Sequence, residues 1–287
     1  MSQTADLAPA DKKLYHLRDV TGTVESIPLI ASSIMSKKLA AGSDNIVLDI
    51  KCGSGAFMKD IESAEKLAKT MLDIGKNSKK GVIAVISDMN YPLGMYIGNS
   101  LEVIEAINVL KGKTDGALKE VSLTLGACML LLNDMISSVD EGIALLDEKI
   151  KDGSGIEKFR ELIKSQGGNP SVIDDTDILP VAKIKREVVS QCGGYLYSAD
   201  THLIGKASLE SGAGQHTKDD IIDYGAGIIL KYRPGNYIKK GDVIAEIYSS
   251  SNEKADTAYD ILTEAFKITL EKPKERKNII KIIRGEK

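Results

Sequence analysis

Residues 49–60, D-I-K-C-G-S-G-A-F-M-K-D, join an apolar lead-in to a Gly-Ser-Gly turn flanked by Lys51 and Lys59. Strand, glycine turn and helix is an arrangement that presents backbone N–H groups to phosphate. The spacing argues against that use. A phosphate loop of the form G-x-x-x-x-G-K-[ST] needs its lysine at the outer phosphates and a hydroxyl for magnesium, and no hydroxyl follows Lys59. A dinucleotide fingerprint also fails, because the third glycine and the later ribose-binding acid are out of register. The stretch reads better as a sharp turn at a strand end, where glycine lets the backbone approach something closely. Lys51 or Lys59 is then expected to add to the positive field of a site nearby.

A second constellation lies upstream. Ser33 and Lys37 are spaced i,i+4 and share a helix face. Arg18 joins them if the intervening turn folds back. Arginine and lysine donate while serine donates or accepts, so the trio suits a planar ligand with carbonyl oxygens and an N–H. The plainer alternative is a solvated lysine, an exposed serine and a surface arginine. A third stretch, residues 235–250, G-N-Y-I-K-K-G-D-V-I-A-E-I-Y-S-S, resembles the hairpin of biotinyl and lipoyl carrier modules. Its turn lacks the lysine such carriers modify, which favours a structural hammerhead-like module.

The whole-chain numbers bound the rest. At 287 residues and a formal net charge of −3, the chain can bury one large core or two ordinary ones. Its charge balance gives no reason to expect nucleic acid or an anionic membrane as partner. The basic tail from residue 271 onward reads as a solvated end. Cys52, Cys128 and Cys192 are odd in number and widely spaced, which suits a reducing compartment. His16, His202 and His216 are too scattered for a metal site. The N-terminus shows no apolar signal core and no run of 18 apolar residues follows, so a cytoplasmic protein is expected.

The elements that must position these residues can be read coarsely. Residues 11–40 read as helical, with Ser26 as an N-cap, Pro28 early in the second helix and Gly42 beyond its end. Residues 45–50 and 81–88 are short apolar runs typical of buried parallel strands. Residues 61–74 place Ile61, Ala64, Leu67, Ala68, Met71 and Leu72 on one helical face. Asn99 and Glu102 have capping-box spacing and open a further helix. Three helices are expected over 116–165 and a loop over 166–175. Beyond 180, short alternating strands with glycine turns surround a helix near 201–210, and a last helix spans 252–268. The predicted fold is α/β, with a mixed or parallel sheet flanked by helices. Its domains are a helical-domain remnant at 1–42, a central α/β domain at 43–175 and an α+β C-terminal module at 176–287.

Four long segments carry a resemblance: residues 7–44, residues 47–60, residues 87–107 (S-D-M-N-Y-P-L-G-M-Y-I-G-N-S-L-E-V-I-E-A-I) and residues 211–223 (S-G-A-G-Q-H-T-K-D-D-I-I-D). Together they look like the bacterial pyrimidine-nucleoside phosphorylases and thymidine phosphorylases, and the likeness runs through essentially the whole chain. It implies phosphorolysis of uridine, thymidine or deoxyuridine to free base and pentose 1-phosphate, with phosphate as co-substrate and no organic cofactor. It implies homodimers built from a helical and an α/β domain. The family's base-binding residues fall on Tyr15, Arg18, Ser33 and Lys37, with Arg18 and Lys37 catalytic through the charge they offer the departing base. Some members also hold a structural monovalent cation such as K+. Its ligands here would be the carbonyls of Leu93 and Tyr96 and the carboxylate of Glu105, and oxygen ligands suit a hard cation.

The chain also departs from the family pattern. Tyr96 stands where the family usually has Ala, Cys52 replaces Thr or Val, and Gln215 replaces Arg. The family's phosphate loop, K-x-S-x-G-G-x-G-D, is absent, so no phosphate-binding residue is assigned. The expectation is a chain that carries the base-binding half of the site, is inefficient alone, and pairs with itself or with a separately encoded N-terminal half. The alternatives are a non-catalytic binding or assembly protein and, more remotely, a phosphoribosyltransferase relative; the latter would need a pyrophosphate loop that is also absent.

Overall fold

The computed structural model describes residues 7–217 and 219–285. The helices are α1 (Pro9–Thr21), α2 (Ile27–Ala40), α3 (Ile61–Asn77), α4 (Asn99–Leu110), α5 (Ala117–Leu132), α6 (Val139–Lys151), α7 (Ser154–Ser165), α8 (Thr201–Ser208) and α9 (Asn252–Glu264). The strands are β1 (Asn45–Cys52), β2 (Gly81–Asp88), β3 (Tyr96–Ile97), β4 (Ile184–Val189), β5 (Gly194–Ala199), β6 (Gly227–Leu230), β7 (Tyr237–Ile238), β8 (Val243–Ser249), β9 (Phe266–Thr269) and β10 (Ile279–Arg284). The chain is α/β and forms two compact units. One comprises Met1–Asp88, Glu120–Asp147 and Lys277–Lys287, the other Met89–Lys119 and Glu148–Arg276.

In the first unit β1 and β2 pair in parallel, Asn45 opposite Gly81 through Cys52 opposite Asp88. Helix α3 makes the crossover, and Asp60 caps it by accepting the Ser63 N–H at 2.8 Å. Strand β2 is apolar without alternation because both of its faces are covered. Val82, Ala84 and Ile86 pack with Met35, Leu67 and Met71, while Ile83 and Val85 pack with Cys128 and Leu132. The chain returns to this sheet only at its C-terminal end, where β10 adds antiparallel to β2. The tail is therefore part edge strand rather than wholly a solvated end. Lys281 keeps one of its outward positions wet, which disguises the strand in the sequence.

The second unit carries a sheet of order β3-β6-β8-β4 and another of order β7-β5-β9. Their core includes Val188, Leu196, Ile228, Leu230, Ile238, Ile247 and Leu262. The carrier-like stretch does not close on itself as a hairpin, because β7 pairs with β5 while β8 lies between β6 and β4. Helix α4 begins one residue earlier than its capping-box spacing suggests. Gly98, at φ 134°, takes the N-cap, and its N–H donates to Glu102 at 3.2 Å. The last helix ends at Glu264, and Phe266–Thr269 continue as β9. Among the described residues no helix is long and apolar enough to cross a membrane.

Candidate functional site

The helix pair α1–α2 carries the sequence-predicted trio, with Ser33 and Lys37 in direct contact and Arg18 linked to them through the field it exerts on Asp11. Gly22 ends α1 in the left-handed region at φ 66°, its N–H returning to the Arg18 carbonyl. The chain then re-enters α2 with Pro28 in its first turn. Arg18 is buried, at 6% exposure, and its guanidinium plugs this connection. It donates to the Leu29 carbonyl at 3.3 Å and to the Val24 carbonyl. Its Nε is buried without a hydrogen-bond partner, and the half-exposed Tyr15 ring lies 5.3 Å from its Cζ.

One turn apart on α2, Lys37 Nζ donates to Ser33 Oγ at 2.9 Å. Ser33 is itself buried. A residue that the sequence did not single out completes the cluster. Asp11 Oδ2 accepts from Lys37 Nζ at 2.6 Å. Burial works to raise the Asp11 pKa, but hydrogen bonds from Lys37 and Ser33 and the charges of Lys37 and Arg18 outweigh it and hold it below the usual carboxylate range. The signal for Asp11 was its spacing: positions 11, 15 and 18 fall on one face of α1. The result is a cluster of two cations, a hydroxyl and a carboxylate, partly shielded from water. It can donate to carbonyl oxygens and accept from a ring N–H.

The glycine turn after β1 behaves as the spacing implied. Gly53, at φ 136°, donates its N–H to the Met58 carbonyl at 2.9 Å. Lys59 reaches back to the Ser54 carbonyl at 3.0 Å. Lys51 adds little net positive field, because Asp49 Oδ2 pairs with it at 2.7 Å. Ser87 binds both, accepting from Lys51 at 3.0 Å and donating to Asp49 at 2.5 Å.

In the second unit, the residues named as cation ligands gather around the loop at 91–98. The buried carboxylate of Glu105 accepts the N–H groups of Met95 at 2.7 Å and Tyr96 at 3.2 Å. It lies so close to Gly94 that a Cβ there would stand 2.3 Å from Oε2. The Leu93 carbonyl already accepts from Arg233, a residue to which no motif pointed. Gln215 and the backbone of residues 216–217 close a turn on Asp220: Gln215 Nε2 donates to its carbonyl at 2.6 Å and the His216 N–H to its carboxylate at 2.8 Å. Among the described residues no group of three or more His, Cys, Asp or Glu side chains could hold a metal ion.

Known proteins resemble this chain over most of its length. A family model described as "Glycosyl transferase family, a/b domain" matches residues 1–156. A second, "Pyrimidine nucleoside phosphorylase C-terminal domain", matches residues 195–269. A pyrimidine-nucleoside phosphorylase of Staphylococcus epidermidis is 48% identical over 261 residues, covering 91% of this chain and 60% of the relative. Those of Staphylococcus haemolyticus and Staphylococcus aureus are 48% identical over 268 residues and 50% over 256. They are covered to 62% and 59% of their length, against 93% and 89% of this chain. The chain thus spans about three-fifths of the length of the curated relatives it matches. On these matches the chain belongs to the pyrimidine-nucleoside phosphorylase family of glycosyl transferases.

Proposed function

We propose that this chain binds the pyrimidine of a nucleoside such as uridine, thymidine or deoxyuridine, whose phosphorolysis yields free base and (deoxy)ribose 1-phosphate. The observation that carries the reading is the Lys37–Ser33 contact of 2.9 Å beside buried Arg18. As the glycosidic bond lengthens, negative charge develops on the departing base. Lys37 and Arg18 stabilise that charge at the ring carbonyls, and Ser33 hydrogen-bonds N3. Donors fixed in advance and shielded from water do this without reorganising as the charge appears. Asp11 holds the Lys37 ammonium and the Ser33 hydroxyl in place for the base, and Tyr15 offers a ring face beside them. The nucleophile is phosphate itself.

The pattern K-x-S-x-G-G-x-G-D occurs nowhere in the 287 residues. These residues alone are therefore expected to bind the base without efficient phosphorolysis, since positioning a nucleophile contributes about 7 kcal/mol or more to a rate. A second reading, a binding or assembly partner, draws on the exposure of Leu14 and Leu17 along α1. Those side chains suit burial against a second copy or a helical partner. Free Cys52, Cys128 and Cys192 fit a reducing, cytoplasmic setting.

Calorimetry with uracil and thymine, alongside a phosphate-dependent base-release assay, tests both parts. Binding that Lys37→Ala removes supports the base site, and no binding by the wild-type chain overturns it. Base release at ordinary enzymatic rates would overturn the expectation of inefficiency.

A further inference from the structure

We propose that the Arg233 guanidinium is the built-in cation of the loop at residues 91–98, standing where the family resemblance would put a bound monovalent ion. The three groups assigned to such an ion do converge, but not on an open cage. Arg233 donates to the Leu93 carbonyl and, at 3.4 Å, to the Pro92 carbonyl. A carbonyl already engaged by a guanidinium is a poor ligand for a second cation. Both Glu105 oxygens accept backbone N–H groups, and the carboxylate presses against Gly94.

Charge balance points the same way. Glu105 is buried and needs a compensating positive charge. Arg233 supplies one, and the attraction of Glu105 works against the burial that otherwise lowers the Arg233 pKa. A second cation at the same carbonyls would meet like-charge repulsion that bulk water screens poorly there.

The guanidinium is also held in place by its own strand end. The Tyr91 ring lies 5.2 Å from its Cζ, and the Tyr91 hydroxyl donates to the Tyr232 carbonyl at 2.6 Å. The backbone N–H of Arg233 donates to Asn236 Oδ1 at 2.7 Å, which fixes the turn that carries the side chain. A pocket of about 240 Å³ opens beside the pair, lined by Met95, Tyr96, Glu105, Lys231 and Arg233 among others. Removing the guanidinium would therefore leave carbonyls, a carboxylate and room for an ion.

Melting of the full chain in KCl, NaCl and choline chloride at equal ionic strength tests this independently of pyrimidine binding. Wild type should melt at the same temperature in all three. Arg233→Met should melt lower in choline and recover by about 3 °C or more in KCl, while Arg233→Lys should need no K+. A K+-specific rise in wild type overturns the proposal. So does an Arg233→Met variant that matches wild type, or one that is equally stable in all three salts. Should Arg233→Met fail to fold, thallium binding to wild type decides by 205Tl resonance: a saturable single site overturns the proposal, and its absence supports it.

Discussion

Lys37 and Asp11 form an ion pair of 2.6 Å between α2 and α1, across 26 positions of sequence. The contact ties the two helices at the point where the donors converge, so it links local stability to the state of the site. Only 12% of the Asp11 side chain and 27% of the Lys37 side chain are exposed. A hydrogen bond between charged groups in such surroundings contributes about 1.5 kcal/mol or more.

This pair has a defined pH signature. The Asp11 pKa is depressed below its ordinary value of 3.8 on folding. Its contribution is therefore fully present above that value and is lost as pH falls through the lower folded value. Asp11→Asn should cost about 1 kcal/mol near neutrality, and the gap to wild type should close in acid below pH 3.8. Thermal melts of both proteins across pH check this; a gap that stays constant into strong acid would count against it.

For ligand binding, Lys37 is the better probe than Arg18. Arg18 holds the Leu29 and Val24 carbonyls, so its removal disturbs the α1–α2 connection as well as any ligand. Lys37→Ala should weaken uracil or thymine binding about tenfold or more, the equivalent of one charge-assisted hydrogen bond. Lys59→Ala should leave binding unchanged, since Lys59 only returns to the Ser54 carbonyl of its own turn. Parallel calorimetry on the two variants separates a specific contact from general positive charge.

Much of the N-terminal site was legible because helices repeat. The i,i+4 spacing of Ser33 and Lys37 fixes their common face, and Ser26 with Pro28 marks the start of the helix that carries them. Asp11 lay on the right face of α1, but only packing of α1 on α2 selects it among the acids of that segment. Arg233 was illegible because its partner, Leu93, lies 140 positions away. The edge strand β10 was hidden by the charges of its outward side chains, and the α4 cap shifted because Gly98, unlike Asn99, tolerates φ 134° at no steric cost.

On the sheet of the second unit, Glu246 is a buried carboxylate that gathers Lys185 at 2.8 Å, Lys231 at 2.9 Å and the Tyr248 hydroxyl at 3.0 Å. Burial works to raise its pKa, but these three partners outweigh it and keep it low. Glu246→Leu removes the shared acceptor, and the lysines can turn to water because both are more than a third exposed. The expected cost is about 2 kcal/mol. Glu187→Gln, which removes one exposed partner of Lys185, should cost less than about 0.5 kcal/mol. Urea unfolding of the two variants gives the comparison, and equal costs would sink the account.

Finally, β3 meets β6 at a glycine–glycine crossing. Gly227, at φ 151°, leaves room for nothing larger, since a Cβ there would stand 2.2 Å from the Ile97 carbonyl oxygen. Gly98 faces it, and a Cβ at that position would stand 2.5 Å from the Ala226 carbonyl oxygen. Both obstacles are backbone, so no side chain can swing away to relieve them. Gly227→Ala should therefore destabilise by about 3 kcal/mol or more, combining conformational strain with overpacking. Gly22→Ala offers the control: it shares a positive φ of 66° but meets nothing within 4 Å, so only the left-handed penalty of about 1 kcal/mol applies. Chemical denaturation should rank the two in that order. Equal losses would mean that the strands separate to accept a methyl group, and that the close crossing does not hold the loop at residues 91–98 against β6.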